Sequence, residues 1–208
     1  MSTRIEIKSA GGGGASISTA TLMRTGQTTS YRTGDDADTS SEGRATDFFT
    51  LAENNPFGNT DRFTDELGTQ TYADDIVIDW STFNGATVLG FYRIRGTYSD
   101  LAWNNAIDNS LLFTKGTYTT GWRLPNFAEL LSLVNYSGVR PIDYAPFNFT
   151  SNLSFWSSTT VESSTTSAYA FSNFTSFAYV AKRIKTNTSA SYRAIPCRTF
   201  TVTGTILT

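Results

Sequence analysis

Residues 121–131 read Gly-Trp-Arg-Leu-Pro-Asn-Phe-Ala-Glu-Leu-Leu, and residues 155–159 read Phe-Trp-Ser-Ser-Thr. In the first block Asn126 follows Pro125, and Glu129 stands three residues further on. That is the spacing of a capping box, in which the two side chains satisfy each other's backbone N–H groups at a helix start. Phe127, Leu130, Leu131 and Val134 then recur every three or four residues, which places them on one helix face. The second block is short and aromatic, as a buried strand is. Trp122 and Trp156 each bring a large apolar area and one N–H donor, so both are expected in the core between this helix and the sheet. Arg123, between Trp122 and Leu124, is expected to pair with a buried carboxylate.

Upstream of this block, Leu101, Ala102, Trp103, Ala106, Ile107 and Leu111 have helical spacing, and Ser99 or Asp100 can cap. Further back, the β-branched and aromatic runs Asp75–Trp80 and Ala86–Ile94 flank Asn84-Gly85 and predict a hairpin. Downstream, beyond Pro141 and Pro146, the strand period returns in Leu153–Ser157, Ala168–Asn173, Ser176–Lys182 and Tyr192–Phe200. A hairpin, two helices and a run of strands predict an α+β fold, with small antiparallel sheets flanked by two helices.

The ends differ from this body. Residues 4–8 alternate Ile5 and Ile7 with polar residues, too short a strand to stand alone. Gly11 to Gly14 follow as a joint without packing value. We expect an assembly arm at 1–20, clamped by adding a strand to a neighbouring subunit, a domain at 21–200, and a Thr-rich strand tail at 201–208. Residues 25–79 are polar and turn-rich, with room only for short strands. Within them Asp35, Asp36 and Asp38 have oxygen donors for calcium but lack the Gly and Glu positions of an EF-hand loop. Turn-forming carboxylates are the preferred reading.

Composition narrows the chemistry. The 208 residues include no histidine and a single cysteine, Cys197. Ser-His-Asp and Cys-His catalysis, His-ligated zinc and an internal disulfide are therefore excluded. The carboxylates Asp100, Asp108, Glu129, Asp143 and Glu162 have no spacing that favours a glycosidase pair. No cofactor and no enzymatic activity are expected. The net charge of −2 gives no footprint for nucleic acid, and the short cluster Lys182, Arg183, Lys185 reads as a solvated strand end. Charged residues are 16% of the chain against roughly 25% in an average domain, so the surface is neutral and rich in Ser, Thr and Asn. No apolar stretch suits a leader or a membrane span, so we expect synthesis in the cytoplasm and no membrane insertion.

Gly121–Asn126 with Glu129-Leu130, Phe155–Thr159, Ala168-Tyr169 and Ala194–Arg198 resemble the Lcl C-terminal domain family. Thr25–Thr28, Gly34–Asp36, Arg62–Asp65 and Trp103–Ile107 extend the resemblance backwards, to cover roughly residues 24–200. It implies a C-type-lectin-like fold, found in bacterial surface proteins and in phage proteins. Val88–Phe91 departs from the family's usual Gly-Leu-Met-Trp, and the lone Cys197 cannot make the cysteine pair of many members. The Glu-Pro-Asn and Trp-Asn-Asp signatures of calcium-dependent sugar binding are missing, and the paired cysteines of the related formylglycine-generating enzymes are missing too.

Recognition is thus expected to fall on Ser172–Tyr192, through Asn173, Phe174, Phe177, Tyr179, Lys182, Lys185 and Tyr192. Such a mixture suits stacking on a glycan or contact with a host surface protein. Tyr169 and Phe171 are expected to point inward. The expected protein is a virion component of a phage (tail, fibre or capsid-surface decoration), extracellular after release. Its partners would be further copies or other virion proteins, held by the arm. An exported bacterial adhesin and a purely stabilising decoration protein are the alternatives.

Overall fold

A computed structural model describes residues 48–51, 54–93, 101–135, 140, 142, 144–149, 152–174, 178–188 and 192–208, with the backbone alone for Ala178 and Tyr179. The arm with Ile5 and Ile7, the carboxylates Asp35, Asp36 and Asp38, and Ser99, Asp100, Asp143 and Phe177 lie outside the described residues.

The described residues form an α+β domain with two sheets and two α-helices. The first sheet contains β1 (Phe63–Thr64), β2 (Ile76–Asp79), β3 (Thr87–Tyr92), β9 (Cys197–Thr203) and β10 (Ile206–Leu207) in that spatial order, with β4 (Trp122–Arg123) also paired to β9. The second runs β7 (Ala178–Ile184), β6 (Ser164–Asn173), β5 (Leu153–Val161), β8 (Tyr192–Arg193). All pairs are antiparallel except β5 with β8, a parallel join that the sequence did not signal. Helix α1 (Trp103–Leu111) precedes β4, and α2 (Phe127–Ser132) follows it.

The hairpin β2–β3 forms as its turn chemistry dictates. Gly85 takes a φ of 91°, which a side chain resists, and Asn84 Oδ1 accepts from the N–H groups of Ala86 and Thr87. The long-range step is β3 against β9, which pairs Phe91 with Cys197 and Val88 with Phe200. Gly90 allows it, since a Cβ there would lie 2.6 Å from the Phe200 ring. β9 runs on through residue 200, where a separate tail was expected to begin. Gly204 turns the chain back so that Leu207 is buried in the same cluster as Phe200.

Helix α2 has the expected capping box. Asn126 Oδ1 accepts from Glu129 N at 2.9 Å, and Glu129 Oε2 accepts from Asn126 N at 2.8 Å. Helix α1 starts differently from expectation: Ala102 occupies its N-cap with no side-chain bond, and the Trp103 N–H donates to Lys185 O. A tertiary contact replaces the local cap. Ala106 is buried and Leu111 is 58% exposed, so the apolar stripe ends one turn early.

Three apolar clusters hold the domain. One joins Leu130, Leu133 and Val134 of the α2 region to Phe91, Phe155, Phe171 and Cys197. The second gathers Ile76, Ile78, Trp80, Phe113, Trp122 and Phe200. The third sets Leu101, Trp103, Ala106 and Ile107 against Trp156, Ala168, Ala170 and Tyr192. Trp122 and Trp156 are core residues, as expected, but they sit away from α2. Trp122 packs edge-on to Phe113 at 4.8 Å, and Trp156 stacks on Tyr192 at 4.6 Å on the α1 side. Alternation along β5 and β6 sends Phe155 and Phe171 into the first cluster and Trp156 and Ala170 into the third, so these strands are covered on both faces.

Candidate functional site

Two of the expected recognition residues belong to the interior. Asn173 is fully buried: its Oδ1 accepts from Ile142 N at 2.8 Å and its Nδ2 donates to Phe149 O at 2.9 Å. It ties down the segment that precedes β5. Tyr192 is buried against Trp156. Neither is offered to a ligand, because both faces of the second sheet are occupied where these residues sit.

Lys185 is half-buried and already engaged. Its Nζ donates to Thr165 O at 2.8 Å and lies 4.2 Å from the centroid of the Trp103 ring. Such a cation over an indole contributes about 0.5–2 kcal/mol, and it fastens the end of β7 to α1. Phe174 is half-buried, and Tyr179 pairs through its backbone with Ser172. Tyr169, expected to point inward, is half-buried with its ring 5.5 Å from that of Phe127. Phe171 is fully inside.

Lys182 remains exposed, and the structure gives it neighbours that the sequence did not single out. Val180 (45% exposed) and Ile184 (62% exposed) lie on the same face of β7 as Lys182, two residues to either side. Across the ladder from Lys182 is Tyr169. The side of β7 away from β6 pairs with no strand among the described residues. At its C-terminal end a concavity of about 400 Å³ is lined by Lys182, Arg183, Ile184, Thr186 and Asn187. Val180, Lys182 and Ile184 thus form an exposed apolar and cationic patch on a strand at a sheet edge.

A charge asymmetry underlies this surface. Residues 151–208 carry five Lys and Arg against Glu162 alone, while residues 1–150 carry eleven against seventeen Asp and Glu. The cluster Lys182, Arg183, Lys185 thus sits in the basic portion of an otherwise acidic chain, a signal hidden by the overall charge.

Several other ionisable groups among the described residues have structural roles. Arg123 donates from Nη2 to Glu129 Oε1 at 2.6 Å and from Nη1 to Oε2 at 2.7 Å, so it does pair with a carboxylate, but a half-buried one rather than the buried one expected. Burial pushes the Cys197 thiol up to about 12, so it stays protonated and inert. Among the candidate acids, Glu129 is taken by Arg123, while Asp108 and Glu162 are exposed and far apart in the chain. No grouping of metal-ligand side chains occurs among the described residues, and no helix there is long and apolar enough to cross a membrane.

Two sheets and two helices define a small α+β domain with an exposed patch on an edge strand. The family model of the Lcl C-terminal domain matches residues 70–196, and the chain belongs to that family. The blocks at 25–28, 34–36 and 62–65 lie outside the matched stretch. No curated protein and no solved structure matches the chain.

Proposed function

We propose that this protein is a non-enzymatic recognition module of C-type-lectin-like fold, carried by a phage virion as a tail, fibre or capsid-surface component. Its β7 face contacts a glycan or a protein on the host surface. The observation that carries this reading is the joint exposure of Val180, Lys182 and Ile184 beside Tyr169 on a sheet edge. Exposed apolar groups of this kind mark contact sites when polar residues rim them, and Thr186 and Asn187 supply that rim. Membership of a family that occurs in phage and bacterial surface proteins supports the same reading, as does the neutral Ser/Thr-rich composition.

Two measurements test it. Antibody-labelled negative-stain microscopy of purified particles is expected to decorate one virion substructure, and absence of the protein from particles overturns the virion assignment. Purified protein is expected to compete with particles for adsorption to host cells. Unchanged adsorption in a large excess of protein overturns the recognition role and leaves stabilising decoration.

A further inference from the structure

Glu66 lies in the turn that follows β1, far from β7, and its carboxyl is in an unusual position. Its Oε2 is fully buried, and no hydrogen-bond donor reaches it. Two groups lie within hydrogen-bonding reach of the Glu66 carboxyl: its own backbone N–H and another carboxyl, that of Asp74. Two ionised carboxylates in contact repel, whereas one shared proton turns the contact into a hydrogen bond.

The surroundings favour the shared proton. The turn is fixed from within by Asp65, whose carboxylate accepts from the N–H groups of Leu67, Thr69 and Tyr72 and from the Thr69 hydroxyl. Asp65 therefore stays ionised and adds negative potential beside Glu66. Tyr118, in the Lys115–Tyr118 turn, interacts with Glu66 and has the Arg198 guanidinium 5.0 Å from its ring centroid. The cations nearest Asp74 and Asp75 are Lys115, at 3.9 and 3.8 Å, and Arg93, at 3.1 Å from Asp75. None is bonded to Glu66. Burial raises the Glu66 carboxyl, its own backbone N–H opposes this, and Asp74 and Asp65 add to the rise, which brings it to about 7.

We propose that Glu66 and Asp74 form a proton-sharing carboxyl pair, a pH-operated latch that holds the turn 65–69 against the 72–75 segment. Loss of the proton leaves two like charges in contact. Asp74 then keeps Lys115 as its partner, and Glu66 swings to solvent. The Phe57 ring, which packs so closely on Gly68 that a Cβ there would lie 2.2 Å from it, loses its cover. The latch belongs to the first sheet and is independent of the β7 surface.

Amide exchange and carboxyl NMR on the full-length protein test this. In the wild type, exchange protection at Leu67, Gly68 and Thr69, corrected for intrinsic exchange, is expected to fall with pH. The fall reaches up to about tenfold per pH unit between 4.5 and about 7 and then levels off, as one-proton linkage requires. Glu66→Gln, close in shape, is expected to remove that dependence. Asp74→Asn is expected to return the Glu66 side-chain ¹³C titration toward an ordinary carboxylate. The latch is overturned if Glu66 titrates as an ordinary carboxylate in the wild type, or if Glu66→Gln leaves the pH dependence of exchange unchanged.

Discussion

Arg62 and Asp79 meet through two 2.8 Å hydrogen bonds, Nε to Oδ1 and Nη2 to Oδ2, with side chains 1% and 0% exposed. The same guanidinium donates to Ser132 O at 2.7 Å, and its carbon lies 4.3 and 4.4 Å from the Phe48 and Phe63 ring centroids. Asp79 in turn accepts from Ser81 N and Oγ. One ion pair therefore joins the residue before β1 to β2, the 3₁₀ turn Trp80–Thr82 and the end of α2. Removing either partner strands a buried charge, so Arg62→Met and Asp79→Asn are each expected to cost about 3–5 kcal/mol. Arg62→Met with Asp79→Asn together should cost less than the sum of the singles. Urea unfolding of the three variants measures this, and strict additivity would show that the pair is not coupled.

Trp156 Nε1 donates to Leu101 O at 2.8 Å, and its ring stacks on Tyr192, so one side chain joins β5, β8 and the approach to α1. Trp156→Phe leaves that carbonyl unpaired, at about 1–3 kcal/mol. Trp156→Ala also opens a cavity and is expected to cost about 3–5 kcal/mol. Chemical denaturation ranks the two. A loss near zero in Trp156→Phe would mean that the hydrogen bond contributes nothing, and equal losses in the two would mean that the cavity adds nothing.

What was legible in the sequence was local. The capping box at Asn126 and Glu129 and the Asn84-Gly85 hairpin join residues within a few positions, and their chemistry is written in residue type and spacing. Glu129 as the carboxylate that Arg123 finds is not read from them. Arg62 with Asp79 is seventeen positions apart, and Lys185 with Trp103 is further still, so no periodicity announces either. Asn173 and Tyr192 were misplaced for a related reason. A strand pattern gives alternation, but it does not say whether the second face of a sheet is covered, and α1 and the segment before β5 cover it. Of the expected recognition residues whose side chains are described, Lys182 is the exposed one. Val180 and Ile184 went unnoticed because an apolar residue in a strand reads as core until the sheet edge is known.

Stability should pass through a maximum with pH, because three carboxyls pull in opposite directions. Burial alone would raise Asp65 and Glu129. Their hydrogen bonds outweigh it, from Thr69 and the turn amides for Asp65 and from Arg123 and Asn126 for Glu129, and hold both below ordinary values. What they contribute is present above their unfolded pKa and is lost as pH falls through the folded one. Glu66 runs the other way: its contribution is full below 4.5 and is lost as pH rises through about 7. Thermal unfolding of Glu66→Gln is expected to be higher than wild type at pH 8, with the gap closing toward pH 4.5. A gap that does not change with pH would remove Glu66 from this account.

The β7 face makes the opposite kind of prediction, a loss of binding without a loss of stability. Lys182 and Ile184 have their side chains largely in water, so Lys182→Glu and Ile184→Asp are expected to stay within about 0.5 kcal/mol of wild type on unfolding. If the face is the contact surface, each substitution should weaken adsorption to host cells by at least about tenfold, the effect of roughly 1.4 kcal/mol of binding energy. Leu111→Asp serves as the control, since its side chain is also exposed (58%) but sits on α1, outside the β7 surface. Competition between purified variants and intact particles measures all three. Loss of adsorption in the control as well, or in none of the three, would separate recognition from this strand.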